Sequence, residues 1–380
     1  MSNILEKQFL KQRNDFEKSC VERDKKYHFP QGVIFETDIA YAKDKNKAHR
    51  LDRYRPKGKE TQILPVIINV HGGGLLLGNK EFNKYFCALL SKKGFLVYSM
   101  EYRLIPDCTF FDQLRDIFLA MDFVKEHAAA DGGDLSHVYL VGDSGGACLA
   151  TYANAIQNSK KIAKAAGVKP SELKVHALGL ISGMFYTTKF DKIGLFLSKY
   201  LYGKQYKKAP FAAYVNPENP ELLYALAPAW LVTSHNDHLR NYTIRFEKAL
   251  TAAKKEHEIV DFPKSKKLTH AFSVFEPFLP ESHAVIDMLT DCRFTLVEKH
   301  CHLICRYPNS FILNKSIDKS IFIRNLINQK LHLLIHLYPS ISEIILSISL
   351  RRTCSRATIS AISALSLTIS IFSRVSSGST

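Results

Sequence analysis

A serine framed by glycines, in the segment GDSGG at residues 142–146, offers the side chain and the backbone freedom for nucleophilic chemistry. The segment fits the pattern G-x-S-x-G, follows the apolar run Val138–Val141 and opens a helical pattern. In that setting a serine lies on a sharp strand-to-helix turn, and the glycines leave room for the tight backbone. The helix N-terminus places N–H groups near the negative charge that forms during acyl transfer. The pattern predicts a nucleophile at Ser144.

A second glycine-rich segment, HGGG at residues 71–74, directly follows the apolar run Leu64–Val70. Acyl transfer develops an oxyanion that needs pre-aimed N–H donors, and glycine can turn its N–H inward with no side chain in the way. We expect an oxyanion hole made by the N–H groups of Gly73, Gly74 and Gly145. The alternative is a phosphate-binding loop, but the sequence has neither G-x-x-x-x-G-K-[ST] nor a helix-opening G-x-G-x-x-G.

These segments belong to a regular alternation of apolar runs and amphipathic stretches, which is typical of a mostly parallel sheet covered by helices. The fold class is therefore α/β. Strands are predicted at Val33–Ala42, Leu64–Val70, Gly94–Met100, Val138–Val141, Val175–Ile181, Trp230–Thr233 and Glu258–Phe262. Helices are predicted at Phe82–Lys92, Gln113–His127, Gly146–Gln157, Asn241–Lys254 and Ser282–Val297.

Two further polar residues follow predicted strands. Asp237 comes after the strand at Trp230–Thr233, and His270 comes after the last strand. Loops that leave the carboxyl edge of one parallel sheet lie close together, so we expect both side chains near Ser144. The order serine, acid, histidine along the chain is the order that a serine relay on this kind of sheet uses. We expect His270 as general base and Asp237 as the group that orients it.

The chain resembles the hormone-sensitive-lipase-like family of α/β-hydrolase esterases over roughly residues 30–300. The resemblance rests on HGGG with the following Gly78, the GDS-centred elbow, YRL at 102–104, DHL at 237–239 and HAF at 270–272. It implies an α/β-hydrolase fold and a carboxylesterase with Ser144, Asp237 and His270 as triad. One departure is Ser234, which stands where the family commonly has glycine ahead of the acid.

Two segments are expected to form a small helical cap over a substrate pocket. Residues 184–223 are longer than a single crossover needs and are rich in Phe and Tyr. Residues 1–30 open with an amphipathic helical pattern, whose apolar positions are Ile4, Leu5, Phe9, Leu10 and Phe16. Bulky rings over the pocket predict short acyl chains, with His71, Phe185 and Tyr186 as pocket-lining residues. An ordinary pair of surface helices at 184–223 is the alternative.

Two other functions are compatible with the same residues. Amide hydrolysis shares the acyl-enzyme, so a deacetylase or small peptidase would keep this triad. A ligand-binding protein on a hydrolase scaffold is also conceivable, since a fold does not fix a function. We favour a serine esterase that hydrolyses a small-molecule ester and needs no cofactor or metal.

Composition is that of a globular protein, with 46% hydrophobic and 23% charged residues. The net charge of +16 is scattered, without the interleaved basic and aromatic residues of a nucleic-acid surface, so no nucleic-acid partner is expected. Cys87 and Cys148 fall in apolar helical patterns, which suits buried thiols in a reducing compartment. The first residues have no apolar signal-peptide region, and together these features predict a cytoplasmic location.

The sequence changes character after about residue 300. Residues 301–380 are basic and dominated by Ile, Leu and Ser, and residues 357–373 are uncharged but full of Ser and Thr. We expect one hydrolase domain at 1–300 and a tail that is not a functional domain and makes no membrane contact. Cys301 and Cys305 lack the second ligand pair of a zinc finger. No feature indicates an oligomeric state.

Overall fold

The core of the fold is an eight-stranded sheet with the strand order β1-β2-β4-β3-β5-β6-β7-β8. Only β2 runs antiparallel to its neighbours, and every other pairing is parallel. The strands are β1 Val33–Ala40, β2 Arg50–Pro56, β3 Leu64–Val70, β4 Leu96–Met100, β5 Gly133–Asp143, β6 Ala177–Ile181, β7 Ala229–Ser234 and β8 His257–Phe262. This computed structural model describes residues 2–189 and 191–291. The predicted fold class is confirmed.

Helices cover both faces of the sheet. They are α1 Ser2–Asp24, α2 Lys84–Lys92, α3 Phe110–His127, α4 Gly145–Asn158, α5 Lys160–Ala166, α6 Lys192–Tyr202, α7 Pro220–Ala225, α8 Arg240–Ala252, α9 Phe272–Phe275 and α10 Pro280–Asp291. Short 3₁₀ turns occur at Lys80–Asn83, Tyr206–Lys208 and Pro210–Tyr214. In the described part of the chain no helix has the length and apolar character to cross a membrane. The boundary predicted at residue 300 and the tail lie outside the described residues.

Burial explains which strands could be found from the sequence. The central strand β3 is buried along almost its whole length, and its apolar run predicted its two ends correctly. The second strand was missed because its sequence, RLDRYRP, is mostly polar. There Leu51 and Tyr54 face the core, while Arg53 forms an ion pair with Asp131. A strand near the sheet edge can therefore carry arginines that are satisfied by partners from neighbouring loops.

Helix α1 packs along the domain through a stripe in which arginines alternate with apolar residues. Phe9 meets the ring of Tyr200 on α6 with centroids 5.3 Å apart, and Phe16 meets Phe82 at 4.9 Å. Arg13 donates to the carbonyl oxygen of Leu76 at 2.5 Å. The prediction that Leu10 belongs to the packed face is wrong, because it is 48% exposed. The packed face of α1 consists of Phe9, Arg13, Phe16 and Arg23. The apolar pattern found the two phenylalanines but not the two arginines.

The segment 184–223 contains α6, two 3₁₀ turns and the start of α7, and rests on α3 and α4. In this segment the ring of Tyr202 packs against the ring of Phe110 on α3, with ring centroids 5.2 Å apart. Tyr152 on α4 donates its hydroxyl proton to the carbonyl oxygen of Tyr214 at 2.9 Å. The segment begins next to the elbow, where Met184 N–H donates to the Ser144 carbonyl oxygen at 3.0 Å. We call residues 184–223 the cap segment.

The start of the cap segment is fixed to α8 by a buried ring stack, which gives a stability prediction. Phe185 and Phe246 are both fully buried, with ring centroids 4.2 Å apart. Phe246→Ala is expected to lower the free energy of unfolding by about 3–5 kcal/mol, because it leaves a cavity in a packed core. Urea unfolding measures this change. Tyr224→Ala is the control: that ring is 67% exposed, so its loss should change stability by under about 0.5 kcal/mol. Equal effects of the two substitutions would contradict this packing.

Candidate active site

Ser144 lies on a strained turn between β5 and α4. Its backbone has φ 51° and ψ −113°, in the positive-φ region that side chains rarely adopt. The flanking glycines make that turn possible. A Cβ on Gly142 would lie 2.6 Å from the Gly146 backbone, and one on Gly146 would lie 2.1 Å from the carbonyl oxygen of Val70. The turn therefore presses α4 against the end of β3 and raises the serine side chain above the sheet edge.

His270 bridges Ser144 and Asp237. Its Nε2 lies 2.9 Å from the Ser144 Oγ, and its Nδ1 lies 2.7 Å from Asp237 Oδ1. A neutral ring with its proton on Nδ1 donates to the carboxylate and accepts the serine hydroxyl proton at Nε2. The structure thus brings together the three residues that the sequence places after β5, β7 and β8, in the order needed for proton transfer from the serine.

Asp237 is held as a carboxylate. Burial raises the pKa of this group, but hydrogen bonds from His270, from Leu239 N–H at 2.8 Å and from Ser182 bring it below its ordinary value. Thr233 donates its hydroxyl proton to the second carboxylate oxygen at 3.0 Å. An ionised, multiply hydrogen-bonded carboxylate can orient the imidazole and stabilise its protonated form.

Ser182 is a site residue that sequence reasoning missed. It follows β6 with φ 50° and is buried. Besides bonding to Asp237, its Oγ accepts the N–H of Ala271 at 3.0 Å, directly after His270. One side chain therefore links the acid to the loop that carries the base. A lone serine after a short apolar strand carries no signal of its own, so only the fold reveals this role.

The acid loop and the base loop are also joined by Ser234, the departure from the family pattern. Its buried hydroxyl donates to the carbonyl oxygen of Leu268 at 2.6 Å. His235 N–H donates to the carbonyl oxygen of Phe262 at 2.9 Å, which extends the β7–β8 pairing beyond the strands. A serine at position 234 is thus accommodated and adds a contact between the two loops.

The glycine loop after β3 makes a tight turn beside the elbow. Gly73 has φ 115°, and a Cβ there would lie 1.8 Å from the carbonyl oxygen of Leu77. The Gly74 nitrogen lies 3.1 Å from the position of a Cβ on Gly145, so the two backbones approach closely. In the described part of the chain, no acceptor is bonded to the N–H groups of Gly73, Gly74 and Gly145. These N–H groups therefore remain available to another acceptor.

Asp143 ties the elbow to the glycine loop. Its Oδ1 accepts the Gly72 N–H at 3.0 Å and the Asn83 amide at 2.9 Å. The side chain is almost fully buried, and burial raises the pKa of its carboxyl group. The residue before Ser144 thus positions the backbone of the glycine loop.

The prediction that His71 lines the pocket is corrected by the structure. Its ring is fully buried, with Nδ1 2.7 Å from the Gly72 carbonyl oxygen and Nε2 2.8 Å from Glu101 Oε1. Burial lowers the pKa of His71, but the attraction of Glu101 outweighs it and leaves the pKa raised. Tyr102 stacks on the ring at 4.3 Å between centroids. His71 therefore supports the glycine loop from below.

Phe185 and Tyr186, the other two predicted pocket residues, also pack inside the protein. Phe185 is fully buried against α8, as described above. Tyr186 is 5% exposed, donates its hydroxyl proton to Glu218 at 2.8 Å and lies under the guanidinium of Arg245. Both residues anchor the start of the cap segment to α8. Phe185 is therefore packed in the core, whereas Tyr186 is about as accessible as Ser144 and its place in a pocket stays a prediction.

One set of possible metal ligands exists among the described residues, and it overlaps this site. Asp237, His238 and His270 each offer a ligand atom, and these atoms lie within 4.8 Å of one another. Both ring nitrogens of His270 already have hydrogen-bond partners. A metal ion bound here would therefore have to displace one of these two hydrogen bonds. Cys301 and Cys305 lie outside the described residues.

Comparison with known proteins agrees with this geometry. A family model described as alpha/beta hydrolase fold matches residues 67–273. A probable isoprenylcysteine alpha-carbonyl methylesterase of Arabidopsis thaliana is 29% identical over 185 residues, covering 47% of this chain and 39% of that protein. The carboxylic ester hydrolase LipN of Mycobacterium tuberculosis is 29% identical over 233 residues, or 58% of this chain and 59% of its own. The chain thus spans less than two thirds of the length of each of these relatives.

A solved structure has a similar architecture. The crystal structure of esterase B from Lactobacillus rhamnosis superposes with a TM-score of 0.69 and 25% identity, covering 77% of this chain and 96% of that one. The similarity extends well beyond the matched motifs to the sheet and its covering helices.

The contact between Asp143 and the glycine loop predicts a difference between two substitutions. Asp143→Ala removes the acceptor of Gly72 and Asn83, so the loop should loosen and any hydrolytic kcat/KM should fall by about 10²-fold, as when one oxyanion donor is lost. Asp143→Asn keeps an oxygen that can accept both bonds and should retain most of the activity. Steady-state kinetics on a soluble ester measures both. Equal losses would contradict a positioning role.

The burial of the Asp143 carboxyl group predicts a pH dependence of stability. The folded state raises the pKa of Asp143 above the ordinary 3.8, so it binds this proton more tightly than the unfolded state does. Stability from this group is therefore present at low pH and is lost as pH rises through the raised pKa. Asp143→Asn has no such loss, because its amide does not titrate. The thermal midpoint of Asp143→Asn minus that of the parent protein should therefore increase from pH 4 to pH 7. A difference that stays constant over this range would contradict the burial of this carboxyl group.

Proposed function

The chain belongs to the α/β-hydrolase fold family, and from this premise we propose that it is a serine carboxylesterase that hydrolyses short-chain esters. The observation that carries the proposal is the continuous hydrogen-bond chain from Asp237 through His270 to Ser144. The N–H groups of Gly73 and Gly74 in the glycine loop, and of Gly145 after Ser144, lie beside these hydrogen bonds. Relatives named as ester hydrolases and esterases support the same chemistry.

Acylation begins when His270 takes the hydroxyl proton of Ser144 at Nε2. The Ser144 oxygen then attacks the ester carbonyl carbon. Asp237 keeps the Nδ1 proton of the ring in place and stabilises the positive charge that the ring acquires. Collapse of the tetrahedral intermediate expels the alcohol, which takes its proton from His270. The acyl group remains on Ser144 as an ester.

The developing oxyanion needs donors that do not have to reorganise. The N–H groups of Gly73, Gly74 and Gly145 supply them, and α4 begins at Gly145 with its positive dipole end toward the same place. Asp143 and His71 hold the loop from opposite sides. The proposal thus assigns the oxyanion hole to backbone groups whose geometry is fixed by buried side chains.

Deacylation repeats these steps with water in place of the serine. His270 takes a proton from water, the hydroxide attacks the acyl carbon, and Ser144 leaves with the proton from His270. The carboxylic acid departs and the site returns to its starting protonation. Every proton moves between these side chains, the substrate and water, so no cofactor is invoked.

Short acyl chains are proposed from the packing around the nucleophile. The cap segment starts at Met184, beside the Ser144 carbonyl, and Thr187 hydrogen-bonds to the hydroxyl of Tyr202 at 2.7 Å. Helix α1 reaches the same segment through Phe9 and Tyr200. Rings that are already packed against one another leave little freedom to open a long acyl channel.

A second candidate substrate follows from the plant relatives. A protein named as a probable isoprenylcysteine alpha-carbonyl methylesterase shares the 185-residue matched region. Such a substrate joins a small alcohol, methanol, to an acyl part with a long prenyl chain, and so requires a larger apolar surface than a short acyl ester. Amide cleavage by the same triad is a further alternative.

The proposed nucleophile can be tested with matched serine variants. Ser144→Ala should lower kcat by about 10⁶-fold on p-nitrophenyl acetate, because the residue that forms the acyl-enzyme is gone. Ser91→Ala is the control: this buried hydroxyl has no hydrogen-bond partner among the described residues, so activity should be retained. Comparable thermal midpoints exclude unfolding as the cause. Substantial activity in the Ser144→Ala protein would overturn the assignment.

The substrate class can be decided on the same preparation. The proposal expects faster turnover of p-nitrophenyl butyrate than palmitate, and of p-nitrophenyl acetate than p-nitroacetanilide. Preference for palmitate would contradict the short-chain part. Preference for the anilide would favour an amidase, and preference for an S-farnesylcysteine methyl ester would favour the prenylcysteine candidate.

A further inference from the structure

His238 carries an imidazole beside the relay, which is the hydrogen-bond chain from Asp237 through His270 to Ser144. The proposed mechanism does not use this imidazole. Its ring lies against that of His270, with centroids 4.3 Å apart and an interplanar angle of 49°. It directly follows Asp237 on the loop after β7. No step of ester hydrolysis calls for a second imidazole at this point, so its position needs a separate explanation.

The three side chains have the chemistry of a transition-metal site, and their ligand atoms lie close together. Asp237, His238 and His270 offer ligand atoms that all lie within 4.8 Å of one another. In a tetrahedral zinc site with bonds of about 2.1 Å, ligand atoms lie about 3.4 Å apart. An ion bound here therefore requires the three side chains to turn toward a common point. Two imidazoles and a carboxylate, with a fourth position left to water, are a ligand set that suits zinc.

We propose that Asp237, His238 and His270 form an inhibitory site for a divalent transition-metal ion of the zinc class. The proposal rests on the esterase function proposed above, since the ion acts by taking His270 out of the relay. The site can be reached from solvent: His238 is exposed and the His270 side chain is 16% exposed.

Exposure and charge favour a cation at this point. The His238 ring is exposed and packs against His270, and Asp237 brings a carboxylate to the same place. A carboxylate beside two imidazoles attracts a divalent cation and offers it an oxygen ligand.

Binding and catalysis would compete for the same atoms. If the ion takes His270 Nε2, the lone pair that accepts the Ser144 proton is occupied. If it takes Nδ1, the hydrogen bond to Asp237 is lost. Either way one of the two bonds of the relay is broken, and removal of the ion restores it. Hard cations such as Mg²⁺ prefer oxygen ligands, so they should not inhibit.

The test titrates ZnCl₂ against the full-length protein after EDTA treatment and dialysis, with hydrolysis of p-nitrophenyl butyrate as readout. Each variant is normalised to its own zinc-free rate. His238→Ala should raise the half-inhibitory zinc concentration at least about tenfold, because one ligand is lost. His235→Ala is the matched control, since it removes an exposed histidine three positions away. MgCl₂ at the same concentrations should leave the rate unchanged.

Zinc binding is also measured directly, by competition with a chromophoric chelator. The parent protein and His235→Ala should withhold one more zinc ion from the chelator than His238→Ala does. Equal zinc sensitivity and equal binding of the parent and His238→Ala would overturn the proposed site. Absence of ester hydrolysis in the zinc-free parent would instead overturn the proposed function, and the chelator competition would still decide whether the metal site exists.

Discussion

The parallel alignment of the central strands is the constraint on which the site depends. Val70 at the end of β3 pairs with Gly142 in β5, and Ile181 at the end of β6 pairs with Val232 in β7. Because these strands run in the same direction, their carboxyl ends meet at one edge of the sheet. The segments that follow them carry the glycine loop, Ser144 and Asp237, and the loop after β8 adds His270. Residues far apart in sequence thus converge without any of them being placed by a flexible connection.

Hydrogen-bonded carboxylates fix the loops once the strands have brought them together. Glu101, just after β4, accepts from His71 at 2.8 Å, from Tyr102 N–H at 3.1 Å and from Lys80 N–H at 3.0 Å. Removing such groups from water costs free energy unless they are hydrogen-bonded, and both carboxylate oxygens of Glu101 have a donor. On the other side of the loop Asp143 holds the Gly72 N–H. In the proposed mechanism, a backbone held by these hydrogen bonds does not have to reorganise when its N–H groups meet a developing charge.

The sequence was enough to predict the fold and the candidate reacting groups, but not the residues that surround and support them. Continuous apolar runs located β3 and the other buried strands, and fixed spacing located Ser144 and the HGGG loop, because those signals are local. β2 was missed since its arginines are satisfied by residues that are distant in sequence. His71 and Phe185 were placed in the pocket because sequence proximity to a loop does not say which way a side chain points. Ser182 and Thr233 could not be found at all, since their role exists only when β6, β7 and the His270 loop lie side by side.

The central claim is that Ser144 is activated by His270 to form an acyl-enzyme. The most direct measurement is intact-mass analysis after treatment with a fluorophosphonate, followed by peptide mapping of the adduct. The account predicts one adduct per chain, on Ser144, with labelling slowed by several orders of magnitude in a folded His270→Ala variant. An adduct on another residue, or labelling of Ser144 at the parent rate without His270, would contradict it.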